Sequence, residues 1–152
     1  MTNINRSALL PYRAEQIYDL VNDIEAYPAF MDGCVGAEVL RREGNLVEAR
    51  LDLAKGGISH SFSTRNFLEE NRAIRLELLD GPFDRFHGCW DFKPLGESAC
   101  KVSLQLEFSA SNAVLGLAAA RLFDKVSNNL VDALGQRAKQ IYGQEGAGER
   151  RQ

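Results

Sequence analysis

Between Cys34 and Ala110 the apolar and polar residues alternate with period two. The alternation breaks at Glu43-Gly44-Asn45, Lys55-Gly56-Gly57, Glu69-Glu70-Asn71, Asp80-Gly81-Pro82 and Leu95-Gly96-Glu97-Ser98. Five such breaks delimit six strands. In one, Phe86, Gly88, Trp90 and Phe92 share a face against Arg85, His87, Cys89 and Asp91; in the next, Val102, Leu104, Leu106 and Phe108 oppose Ser103, Gln105, Glu107 and Ser109. That pattern predicts an antiparallel sheet with one face buried and one in water.

The flanks have a different period. Ile4 to Leu10 reads as a first strand stopped by Pro11, and the run from Arg13 to Ile24 spaces Ile17, Leu20, Val21 and Ile24 as a helix does. Pro28 interrupts the next stretch, so Tyr27, Ala29, Phe30 and Met31 are expected on a second short helix or turn ending at Gly33. After Ser111-Asn112, Leu115, Ala119, Leu122, Phe123, Val126, Leu130, Leu134, Ala138 and Ile141 recur every three or four residues, with Gly143 as the stop. This predicts one helix of about thirty residues, roughly 45 Å long, lying over the whole sheet. Residues 1–143 form the expected domain and 144–152, without apolar periodicity, an expected disordered tail.

A chain of 152 residues, 45% hydrophobic and 26% charged, fits a single globular domain. Its formal net charge of -3 gives no long-range attraction to nucleic acid, so any such contact must be local. The apolar run Ala113 to Ala120 ends at Arg121, well short of a membrane span. Residues 1–6 lack the apolar core of a signal peptide, and a cytoplasmic location is the expectation. Cys34, Cys89 and Cys100 have no paired spacing and read as reduced thiols packed as small hydrophobes.

Candidate chemistry is sparse. His60 and His87 fall on opposite faces by parity, no His/Cys/carboxylate set has metal-ligand spacing, and GxSxG and phosphate-loop motifs are missing. Glu77, Asp91 and Glu107 share the solvated face. The positive feature is an excess of large apolar residues on one concave surface: Phe62, Leu76, Leu78, Phe86, Trp90, Phe92, Leu104, Leu106 and Phe108 facing Leu122, Phe123, Val126 and Leu130. A curved sheet and a straight helix close imperfectly, and the expected gap of about 300–1,000 Å³ is a site for an apolar small molecule. His60 and Thr64 share parity with Phe62 and would place polar groups in that gap. For contact with RNA the candidates are Arg41-Arg42, Arg121 with Lys125 one helical turn later, Arg137 with Lys139, and Arg150-Arg151, although Asp124, Asp132 and Glu43 intersperse them and a solvated, mixed-charge surface is the first expectation.

Four segments in order carry a family resemblance: Tyr27-Pro28-Ala29-Phe30-Met31 before Cys34, Gly81-Pro82-Phe83, Gly88-Cys89-Trp90-Asp91-Phe92, and Arg137-Ala138-Lys139-Gln140-Ile141-Tyr142-Gly143. They resemble the coenzyme Q-binding START family. The chain departs from it at Met31-Asp32-Gly33-Cys34, where the family usually carries Leu-Pro-Trp-Cys. The resemblance implies an α+β helix-grip fold (START-like, Bet v 1-like): a curved seven-stranded antiparallel sheet, two short helices and a long C-terminal helix. Tyr27, Phe30 and Phe83, standing in the matching segments, join the expected ligand lining, with Gly81-Pro82-Phe83 as a gate turn.

For function the resemblance implies non-catalytic binding of ubiquinone, a polyprenyl quinone and not a cofactor here, in support of respiration, with transient contact at a membrane surface for exchange. An alternative within the family is a ribosome-association toxin that binds the large ribosomal subunit and blocks subunit joining. A third is a polyketide cyclase or dehydratase, for which His60 is the one acid–base candidate.

Overall fold

The computed structural model describes the backbone of residues 2–110 and 115–151, and side chains of residues 2–109 and 117–143. Strand β1 (Thr2–Leu10) leads to helix α1 (Ala14–Asn22) and a short 3₁₀ helix (Ile24–Ala29). Six strands come next, β2 (Cys34–Glu43), β3 (Leu46–Lys55), β4 (Ile58–Glu69), β5 (Ala73–Asp80), β6 (Phe83–Pro94) and β7 (Cys100–Ala110), then helices α2 (Leu115–Asn128) and α3 (Leu130–Arg151). All seven strands form one antiparallel sheet in the order β1-β7-β6-β5-β4-β3-β2. The sequence therefore marks every strand of the sheet. Between β3 and β4 the turn is two glycines, Gly56 and Gly57, both with positive φ (63° and 83°), the backbone that a two-residue hairpin with matched twist requires.

The expected alternation is present in the burial of side chains. Val102, Leu104, Leu106 and Phe108 of β7, and Phe86, Trp90 and Phe92 of β6, are buried under α1, α2 and α3, while Glu77, Asp91 and Glu107 are exposed on the other face. Cys34 and Cys100 pack in the core as expected, but Cys89, on the opposite parity to Trp90, is half-exposed.

The long C-terminal helix is not continuous. It breaks at Asn129, after Ser127 and Asn128, residues whose side chains compete for local backbone groups. Asn128 Nδ2 donates to the Asp124 carbonyl at 2.8 Å and Asn129 Nδ2 to the Lys125 carbonyl at 3.2 Å. The break lets α2 pack on β1, β3, β4 and β7 while α3 turns toward β1, β7 and α1. Gly143 does not stop α3, whose backbone continues to Arg151; the expectation of disorder falls on residues 144–152, whose side chains are outside those described. No helix among the described residues is long and apolar enough to cross a membrane.

Candidate functional site

A cavity opens between the concave face of the sheet, α2 and the 3₁₀ helix. From the sheet it is lined by Ala49 and Leu51 (β3), Phe62, Thr64 and Asn66 (β4), Ile74 and Leu76 (β5), Phe86 and Trp90 (β6), and Leu104 and Leu106 (β7). Val21, Ile24, Tyr27 and Met31 close one side, and Phe123, Ser127 and Leu130 the roof. The volume open to the centre of a water molecule is about 60 Å³, room for a few waters and far below the 300–1,000 Å³ anticipated. The reason is an aromatic plug. Phe62, Phe83, Phe86, Phe108 and Phe123 pack together, and the Phe123 ring lies 4.8–5.5 Å from each of the other four, edge to face.

Of the residues expected at the site, Tyr27, Phe62, Thr64, Leu76, Phe86, Trp90, Leu104, Leu106, Phe123 and Leu130 line it. The others lie elsewhere. Phe83 and Phe108 fill the plug, Phe92 stacks beside Trp90 and meets Tyr18 edge-on beneath α1, and Leu78 is partly buried against the core. Leu122 and Val126, one helical turn apart, sit on the same flank of the cavity-facing stripe of α2: Leu122 lines a groove toward the β3–β4 turn, and Val126 packs where a side chain on Gly33 would stand. Phe30 lies beside Tyr27 with the Arg137 guanidinium 5.4 Å from its ring centre. His60 shares the parity of Phe62 but pairs with Leu53 near the hairpin end, half-exposed and off the cavity wall. Parity fixed its face and not its depth, which removes the acid–base candidate of the cyclase reading from the cavity.

Two polar residues of the site were not singled out from sequence. Among the described residues Asn66 and Ser127 are the buried polar side chains, 7% and 1% exposed, and both line the cavity. Thr64 Oγ1 donates to Asn66 Oδ1 at 2.8 Å, which leaves the Asn66 amide nitrogen without a hydrogen bond among the described residues. A signal for each was present: Asn66 continues the 60-62-64 parity of β4, and Ser127 stands four residues after Phe123. Tyr27 offers only its ring. Its hydroxyl donates to the Val21 carbonyl, tying the 3₁₀ helix to α1, and burial pushes its pKa well above the usual phenol value. The lining chemistry suits a carbonyl-bearing apolar molecule, whereas the space does not hold a polyprenyl quinone in this packing.

Arg121 and Lys125 are exposed on the outer side of α2. Across from them Lys55 pairs with Asp32, and its hydrogen bond and charge hold the Asp32 carboxyl below the usual carboxylate range. Among the described residues no cluster of His, Cys, Asp or Glu is arranged to hold a metal ion.

The comparisons agree with the architecture. The family described as polyketide cyclase / dehydrase and lipid transport matches residues 10–134. Ribosome association toxin RatA of Pseudomonas aeruginosa is 46% identical over 142 residues, 93% of this chain and 99% of that protein, and RatA of Escherichia coli K12 is 43% identical over 93% and 90%. A more distant relative, mitochondrial coenzyme Q-binding protein COQ10 of Dictyostelium discoideum, is 31% identical over 87 residues, 55% of this chain and 42% of that one. Among solved structures, a START superfamily protein from Mycobacterium smegmatis superposes with a TM-score of 0.76 at 26% identity, over 91% of this chain and 98% of the other. By its sheet order, its roofing helices and these matches, the chain belongs to the polyketide cyclase/dehydrase and lipid transport family.

Proposed function

We propose that the protein acts by associating with the ribosome, binding the large subunit so that the small subunit cannot join it, in the cytoplasm. The observation that carries this reading is the 46% identity, spread over 93% of the chain, to a protein named for ribosome association. Similarity over nearly the whole length includes surface as well as core. The mechanism is steric exclusion and needs no catalytic group. The test is subunit joining: purified 30S and 50S particles are mixed with the protein, raised to associating magnesium and resolved on a sucrose gradient. The 70S peak should fall in proportion to protein added. An unchanged peak at a several-fold excess, with no protein in the 50S fractions, would refute it.

A second reading concerns the cavity and is supported by Asn66. An amide donor with no partner among the described residues, beside Thr64 and Ser127 in an otherwise apolar lining, fits the carbonyl of an apolar ligand such as a quinone ring. Entry requires the phenylalanine plug to open, since about 60 Å³ is free. Organic extraction and mass spectrometry of protein purified without detergent from a quinone-containing bacterium tests it. Stoichiometric quinone, lost in a folded Asn66→Leu variant, is the expected result; its absence from the native protein would set the reading aside.

A further inference from the structure

A separate groove of about 410 Å³ lies between the β3–β4 turn and the outer side of α2. Arg121 and Lys125 form one wall, Lys55 stands on the other, and Ile58 and Leu122 make an apolar floor. Several arginines of the sheet are matched by carboxylates, among them Arg65 with Glu48 at 2.9 Å and Arg50 with Asp52 at 3.2 Å. Arg121 and Lys125 make no ion pair among the described residues. Asp124, the carboxylate between them, is engaged by Asn128 Nδ2 at 2.9 Å. The Lys55 partner, Asp32, is 76% exposed and easily exchanged for another anion. At Gly56 no atom lies within 4 Å of where a side chain would begin, so the wall beside Lys55 is low.

We infer that this groove is where the protein grips the ribosome, and that it holds the phosphate backbone of RNA. The inference rests on the ribosome-association reading. Three cations and one carboxylate, Asp124, line one concavity of a chain whose net charge is -3, a local excess of positive charge that attracts phosphate. The described lining of the groove presents no aromatic platform for bases, and contacts of this kind position a protein on the backbone without reading sequence.

The test is binding of the full chain to purified large ribosomal subunits between 50 and 200 mM salt, read by co-sedimentation. Three phosphate contacts give a log–log salt slope of roughly -2 to -2.7, a loss of about 20- to 40-fold across that range. The combined Lys55→Glu, Arg121→Glu and Lys125→Glu variant should bind at least tenfold more weakly and lose that part of the slope. Asp32→Asn, which frees Lys55, should tighten binding, and Arg85→Glu on the far face of the sheet should change neither quantity. The milder Arg121→Gln, Lys125→Gln pair, checked by its melting curve, guards against a misfolded triple variant. Wild-type affinity and slope in a folded triple variant would overturn the groove and leave ribosome association standing. A wild-type protein that binds no subunit at any salt would overturn both. Triple-sensitive binding to phosphatidylglycerol vesicles in place of subunits would overturn RNA as the occupant.

Discussion

Truncating Phe123 to alanine removes the hub of the aromatic plug. Its ring is 5% exposed and touches Phe62, Phe83, Phe86 and Phe108 at 4.8–5.5 Å. Phenylalanine-to-alanine changes in cores cost about 3–5 kcal/mol, and the void left by a ring of roughly 100 Å³ accounts for about 2.4 kcal/mol of that at 24 cal/mol per Å³. Four lost edge-to-face pairs put this site in the upper half of the range, about 4–5 kcal/mol. Trp90, the single tryptophan, is 3% exposed in the same cavity, so urea unfolding monitored by its fluorescence reads the loss directly. The new void joins the existing cavity, and benzene should enter it, restoring about 1 kcal/mol at five times its dissociation constant. Wild type, with about 60 Å³ available, should gain nothing. A loss under about 1.5 kcal/mol, outside the range for a packed core ring, or an equal benzene effect in both proteins, would refute the plug.

Gly33→Ala should destabilise far more than Gly56→Ala. Both need a left-handed backbone (φ 93° and 63°), but a Cβ at Gly33 would stand 2.6 Å from Val126 Cγ2 while Gly56 faces open space; similar melting temperatures for the two variants would count against that packing. Iodoacetamide at pH 8 should modify half-exposed Cys89 first and Cys100 last, because burial pushes the Cys100 thiol up to about 11; equal rates in the native protein would contradict its burial. Asp52 is held below the usual carboxylate range chiefly by the Ser61 hydroxyl at 2.6 Å, with Arg50 helping. A lowered folded pKa contributes stability above the unfolded value of about 3.9 that is lost as pH falls through the folded value. Ser61→Ala should therefore raise the Asp52 pKa in an NMR titration and shrink the acid-side loss; an unmoved titration would show that the hydroxyl is idle.

Strand count, turn positions and the buried face were legible because each depends on neighbours in the chain: period two fixes which side of a strand faces inward, and glycine and proline mark where it turns. The same local rule placed Thr64 correctly and His60 on the right face at the wrong depth. Parity carries no information about how far along a strand the roofing helix extends. The break at Asn129 was also written locally, in Ser127-Asn128-Asn129, beneath an apolar periodicity that runs unbroken through it.

Which of the inward side chains line a space and which fill it was decided only by the tertiary structure. Phe83, Phe108 and Phe123 come from β6, β7 and α2, and nothing in their spacing along the chain requires the three rings to meet. Close packing joins residues remote in sequence and responds to differences of one methylene, whereas the hydrophobic pattern records only that each residue avoids water. The sequence by itself determined the sheet, its inner face and the apolar character of the roof. The volume of the cavity, the isolation of the Asn66 amide within it, and the meeting of Lys55 with Arg121 and Lys125 across one groove exist only once β3, β4 and α2 have packed together.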